Sequence, residues 1–209
     1  MMMDIQRRSA WIVGAVAALL LFPGAACAHN FIVGDAVAPL AISDGGELVL
    51  GQDDTISYRR WNSAQLVGKV RIVQYIAGRK SAKKKNSLLI KAVEKANFPG
   101  DTFQPTTIVN ADDVIFGSGY FVRGKIEKNK RRYAWAQFIL DGEGVGRRTW
   151  QLPEESSTIF VLNHEGRVKW AKDGALTEKE VHEVIALVFK LLSEQQHQQL
   201  IDNDVVFRD

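Results

Sequence analysis

The sequence contains one cysteine, Cys27, and none in the long stretch that follows it. A lone thiol cannot close an internal disulfide, and no Cys-x-x-Cys pair exists to run dithiol redox chemistry. Long apolar runs are equally scarce. The one present, residues 11–22, is about a dozen residues, well short of the roughly 20 a membrane-crossing helix needs. Charge of one sign is not in excess either: 27 basic residues stand against 24 acidic ones, which singles out no polyanionic partner. There is no Gly-x-Ser-x-Gly nucleophile elbow, Gly117-Ser118-Gly119 being a poor substitute. The acidic pairs Asp53-Asp54, Asp112-Asp113 and Glu154-Glu155 lack the ligand spacing of a calcium loop. No helix-turn-helix pattern supports a transcriptional regulator, the weakest of the functional readings.

What is there begins with an export signal. Asp4, Arg7 and Arg8 precede the apolar run, Pro23 and Gly24 end it, and Ala26-Cys27-Ala28 sets small residues at the two positions a signal peptidase inspects. The expected cut falls after Ala28 and makes His29 the first mature residue. A lipoprotein cut before Cys27 is the rival, but Gly24 stands where such signals carry a branched apolar residue. The Arg7-Arg8 pair is ordinary for the start of a signal and does not require a twin-arginine route. Residues 1–28 are therefore read as the signal peptide, 29–195 as one domain and 196–209 as a polar carboxy-terminal tail. Losing the leader leaves 25 basic and 23 acidic residues, a formal charge of +2, and no stable membrane anchor. The expected location is the periplasm, where a fold without a disulfide depends on its core.

Along the mature chain, residues 47–50 and 55–58 flank Gly51-Gln52-Asp53-Asp54 as a hairpin. Residues 70–76 are β-branched and apolar, a buried strand. A basic loop or first helical turn at 78–85 leads into Leu88, Leu89, Ala92, Val93 and Ala96 at helical spacing, stopped by Phe98-Pro99-Gly100. Strands are expected at 106–110, 136–140 and 157–162, a ragged helix at 116–132, and a hairpin return at 167–171 after Asn163-His164-Glu165-Gly166. Thr177 with Glu180 forms a capping box for a last helix whose stripe is Val181, Val184, Ile185, Val188, Leu191 and Leu192. From Gln195 the polar composition predicts fraying. Strand, helix, strand, helix, then hairpin and helix is the order of the thioredoxin fold.

The stretches 46–50 (GELVL), 61–70 (WNSAQLVGKV), 76–79 (IAGR), 107–110 (TIVN) and 170–177 (WAKDGALT) resemble the YtfJ family of exported bacterial proteins. The resemblance spans most of the mature chain. It implies an α/β thioredoxin-like three-layer sandwich with an added amino-terminal β-hairpin and a periplasmic location, and it brings no established activity and no cofactor. Relative to active thioredoxins, Arg79-Lys80-Ser81-Ala82 stands where the Cys-x-x-Cys would be. Ser156-Ser157-Thr158 stands where a cis-proline loop would face the thiols, and the nearest proline is Pro153.

The candidate binding residues lie on this old substrate face: Arg79, Lys80, Ser81, Asp112, Asp113, Ser156 and Ser157. The protein is read as a non-catalytic module that holds a periplasmic protein, peptide or small ligand there. The alternative is an unfamiliar enzyme or metal-binding protein using the free amine and imidazole of His29. The other mature histidines, His164, His182 and His197, show no spacing that brings one to it. The cluster Lys125, Lys128, Lys130, Arg131 and Arg132, beside Tyr133 and Trp135, is read as a charged helix face, with no nucleic-acid partner.

Overall fold

The computed structural model describes residues 29–113 and 119–206. The leader, its cleavage position at Ala28 and residues 116–118 of the expected ragged helix lie outside the described residues. The chain runs β1 (Ala41–Leu50), β2 (Ile56–Asn62), a 3-10 turn (Ser63–Leu66), β3 (Arg71–Ala77), α1 (Lys80–Lys85) and α2 (Ser87–Ala96). It continues with β4 (Thr106–Asn110), α3 (Gly119–Arg132), β5 (Gln137–Asp141), α4 (Val145–Thr149), β6 (Ser157–Leu162), β7 (Val168–Asp173) and α5 (Glu178–Val206). One seven-stranded sheet has the order β2-β1-β5-β4-β3-β6-β7. The expected amino-terminal hairpin is present and lies against β5.

Handedness dictates where the helices go. β3, β4 and β5 are parallel neighbours, each step taken in the same direction across the sheet. Parallel crossovers are right-handed, so the connections carrying α1, α2 and α3 fall on one face. The return from β5 to β6, on the far side of β3, carries α4 on the opposite face. The two faces have separate cores. On the first, Leu89 and Val93 of α2 pack with Val181, Val184 and Val188 of α5 over Ile72, Ile159 and Val161, while Ile126 of α3 packs with Leu48, Phe138 and Leu140. On the second, Trp61 and Trp150 pack with Tyr75, Ile108, Ile139 and Phe160. The three-layer architecture follows.

The last helix does not fray at Gln195. It runs on to Val206, and Gln195 is buried. No glycine or proline interrupts this stretch, and extending an existing helix adds a bond per residue without a new nucleation cost. The pairs Lys190–Glu194 and Gln198–Asp202 at i,i+4 add to it.

The capping box is formed at the other end of α5. The Thr177 N–H and hydroxyl donate to Glu180 Oε2 at 2.8 and 2.9 Å, and the Glu180 N–H donates back to Thr177 Oγ1 at 3.3 Å. Lys172 Nζ donates to Glu180 Oε1 at 2.5 Å. The Lys172 bond first, then those from Thr177, bring the Glu180 pKa down from 4.5 to about 2. A carboxyl lowered on folding contributes stability above its unfolded value and loses it as pH falls through the folded one. In chemical denaturation, wild type should therefore exceed Glu180→Gln at neutral pH. The difference should shrink between pH 4.5 and about 2; a gap independent of pH over that window would contradict the assignment.

Candidate functional site

The parallel pair β3 and β4 ends at the same sheet edge where the antiparallel β6 begins, because Ala77 is opposite Asn110 and Ile76 is opposite Ser157. Three loops therefore meet there. The Gly78 N–H donates to Asn110 O and the Ala77 N–H to Ser156 O, both at 2.9 Å. Asn110 Oδ1 accepts the N–H groups of Asp112 and Asp113 at 3.0 and 3.4 Å and folds that loop back.

Arg79 crosses this junction. Its Nε is 2.8 Å from Asp113 Oδ1 and its Nη2 is 3.1 Å from Glu155 Oε1. Asp113 Oδ2 also accepts the Glu155 N–H, at 2.5 Å. Lys85 Nζ donates to Ser156 Oγ at 3.2 Å. The Arg79 guanidinium, at the start of α1 where positive charge opposes the helix dipole, is thus met by two carboxylates. Arg79, Asp113 and Ser156 come together at this junction, with Lys80, Ser81 and Asp112 exposed beside them.

Ser157 is placed differently. It is buried, and its Oγ accepts from Gln74 Nε2 and Asn86 Nδ2, each at 3.0 Å. The hydroxyl ties the sheet to the helical layer and is not presented to a ligand. Asn86, at the break between α1 and α2, is the residue that sequence reasoning missed. Its amide also donates to Gly174 O and its Oδ1 accepts the Leu176 N–H, both at 3.1 Å. A lone buried asparagine between two helices leaves no periodic signal.

Two members of the basic cluster on α3 are committed within the fold. Lys130 is buried and donates to the Ala134 and Ala136 carbonyls, both at 2.9 Å, and burial lowers its pKa. Arg131 pairs with Asp54 at 3.1 Å. Nor do the histidines converge. The His29 ring lies 5.0 Å from that of Phe31, in the layer of Trp150. His182 and His197 are on α5 across the sheet, and His164 is in the β6–β7 turn. Among the described residues no three His, Cys, Asp or Glu side chains are grouped to hold a metal ion.

A second feature adjoins Arg79. An apolar trough of about 860 Å³ runs along the sheet between α2 and α3, lined at one end by residues 78–81 and at the other by Pro105 and Trp135.

A family model described as "Bacterial protein of unknown function (YtfJ_HI0045)" matches residues 31–191. The chain belongs to the YtfJ family. It is 58% identical over 173 residues to the uncharacterized protein YtfJ of Escherichia coli K12, covering 83% of this chain and 94% of that protein. An uncharacterized Haemophilus influenzae protein is 37% identical over 169 residues, covering 81% and 91%. Among solved structures, a proposed protein disulfide isomerase from Bacteroides thetaiotaomicron superposes with a TM-score of 0.55 at 15% identity, covering 82% of this chain and 96% of that one. A secreted thiol-disulfide isomerase from Corynebacterium glutamicum gives 0.50 at 14% identity, covering 78% and 96%. At such identities the likeness shows the thioredoxin-like fold alone. This YtfJ-family chain has that fold, with Arg79 ion-paired just after β3 and no cysteine after Cys27.

Proposed function

We propose that this protein is an exported, non-catalytic binding module that works in the periplasm, its old thioredoxin substrate face holding a protein, peptide or small ligand. The observation that carries the reading is Arg79, fixed between Asp113 and Glu155 where a redox enzyme keeps its reactive thiol. Thiol chemistry has no thiol to use after Cys27. The ion pairs instead join three loops into one firm surface. Its accessible groups are Lys80, Ser81, Asp112, Glu154 and Glu155, whereas Asn110, Ser157 and Thr158 support it from below.

Mixed charge on a preorganised surface suits a hydrated interface, where complementary potentials set specificity and encounter rate. Photo-crosslinkers at Lys80 and Asp112 in living cells should capture the same partner, and exposed controls at Lys128 and Lys179 should not. Arg79→Ala should reduce that capture at least fivefold while costing only about 1 kcal/mol of stability, since the pair is partly exposed. Capture at the controls but not at Lys80 or Asp112 refutes the face. A reporter fused after residue 209 and active only outside the cytoplasm tests the export half.

A further inference from the structure

We propose that the trough between α2 and α3 is a second binding site, adjoining the Arg79 face and sharing Lys80 with it, for a free long-chain carboxylate: hydrocarbon on the floor, head group on the cationic rim.

The trough exists because the two helices are drawn apart. α2 packs towards α5 through Leu89 and Val93. α3 packs towards the hairpin through Ile126, and the Tyr58 hydroxyl donates to Glu127 Oε1 at 2.9 Å. β4 is the central strand of seven, yet the two residues it turns towards the helices, Thr107 and Val109, are only half-buried. Ile72, Ile76 and Phe138 extend the floor on either side, and Leu89, Val93 and Val122 stand in the walls. An open apolar cleft of this size is costly in water, and in folded proteins such clefts mark ligand sites.

The floor favours hydrocarbon over peptide. The backbone of β4 is engaged by β3 on one side and β5 on the other, so an extended peptide finds no strand to pair with. The one amide side chain on the floor, Gln74, already donates to Ser157. A peptide backbone laid here would lose water without gaining partners, whereas an alkyl chain asks for none.

Charge fixes the head group. Lys80 at one end, Lys125 on the α3 wall and Arg132 at the other end are exposed, and among the described residues none is paired with a carboxylate. The Arg132 guanidinium lies 5.1 Å from the Tyr133 ring. Glu94, the one acid in the lining, interacts with the Tyr133 hydroxyl and raises its pKa. The rim is therefore net positive around an apolar trench.

The test is calorimetric titration of the purified protein with decanoate, dodecanoate and dodecan-1-ol, with Trp135 fluorescence as a second readout. Dodecanoate should bind roughly tenfold or more tighter than decanoate, since each buried methylene is worth about fourfold, and also tighter than the uncharged alcohol. Val109→Trp, which fills the floor, should weaken dodecanoate at least tenfold. Ile90→Trp, on an exposed wall position, should do the same and serves if the first variant does not fold. Lys125→Glu should weaken it about threefold, with Lys179→Glu on α5 as the unaffected control. No binding of dodecanoate at millimolar concentration, equal binding by folded trough-filled variants, or a helical peptide that binds without being displaced by dodecanoate would each overturn the proposal. The trough variants leave Lys80 and Asp112 in place and Asp112 lies outside the trough lining, so capture at Asp112 tests the first site independently of dodecanoate binding.

Discussion

Arg71→Met should destabilise the fold by about 3–5 kcal/mol, the range for stripping one member from a buried charged network. Arg71 is 4% exposed, and its guanidinium donates to Leu66 O and Gln65 O at 2.8 and 2.9 Å. It also donates to Gln104 Oε1, Thr106 Oγ1 and Gln137 Oε1 at 2.8, 2.9 and 3.0 Å. One side chain thereby joins the 3-10 turn before β3 to β4, β5 and the loop that leads into β4. Burial, opposed by Glu47, lowers its pKa to about 10, so it remains a cation at neutral pH. Methionine fills the space but takes the donor from five acceptors, of which Gln137 Oε1 keeps only the Thr106 hydroxyl. Arg71→Lys should recover about half of the loss, because an ammonium keeps the charge but offers three donors in place of a planar fork. Equilibrium urea unfolding measures both variants, and a loss below about 1 kcal/mol for methionine would show the network to be dispensable.

Asp141→Ala should cost about 3 kcal/mol, combining a lost helix cap with unpaired buried donors. The carboxylate is fully buried at the end of β5. Oδ1 accepts the Val145 N–H at 3.0 Å, and Oδ2 accepts the Gly146 N–H and the Tyr75 hydroxyl, both at 2.8 Å. Tyr75 in turn accepts the Arg147 N–H at 2.9 Å. Asp141 and Tyr75 thus satisfy the first turn of α4 from below. Burial, with the nearby Asp141 charge, pushes the Tyr75 hydroxyl far above its ordinary pKa and keeps it a donor. Gly146 fits because a Cβ there would meet the Tyr75 ring at 2.6 Å. Tyr75→Phe should cost about 1–2 kcal/mol and reproduce part of the effect. Near-ultraviolet dichroism of Trp150, whose ring is 6.1 Å from that of Tyr75, should change in both variants. An unaltered spectrum with unaltered stability in Asp141→Ala would refute the role given to the carboxylate.

Much of the frame was legible in the residues because it rests on local periodicity. The run 70–76 announces a strand by its β-branched content, and Thr177 with Glu180 announces the start of α5. The five residues of α4 were not found, since so short a helix has no period and depends on Asp141 from another element. At the candidate site, the sequence placed Arg79, Asp113 and Ser156 on one face through the thioredoxin likeness, but gave no sign that Arg79 is paired twice. Ser157 was put on that face because Ser156-Ser157-Thr158 stands where the thioredoxin likeness places a cis-proline loop; its burial depends on Asn86 and Gln74, which no spacing connects. The trough escaped for a similar reason. Its apolar residues look like core in the sequence, and only the divergence of α2 from α3 leaves Thr107 and Val109 uncovered.

The order of the sheet bears on how copies of this chain behave towards one another. Its two borders are β2 and β7, rows of backbone groups able to pair with a neighbouring molecule, although β7 is already covered at Val168 by Gly34 and Asp35. β2 carries Arg59 and Arg60, and β7 carries Lys169 and Lys172. Arg59 and Lys172 are paired with Glu47 and Glu180, so Arg60 and Lys169 are the cations these borders would bring together, which discourages edge-to-edge aggregation. The hairpin that extends the sheet beyond β5 thus replaces an apolar border, Gln137–Asp141, with a charged one.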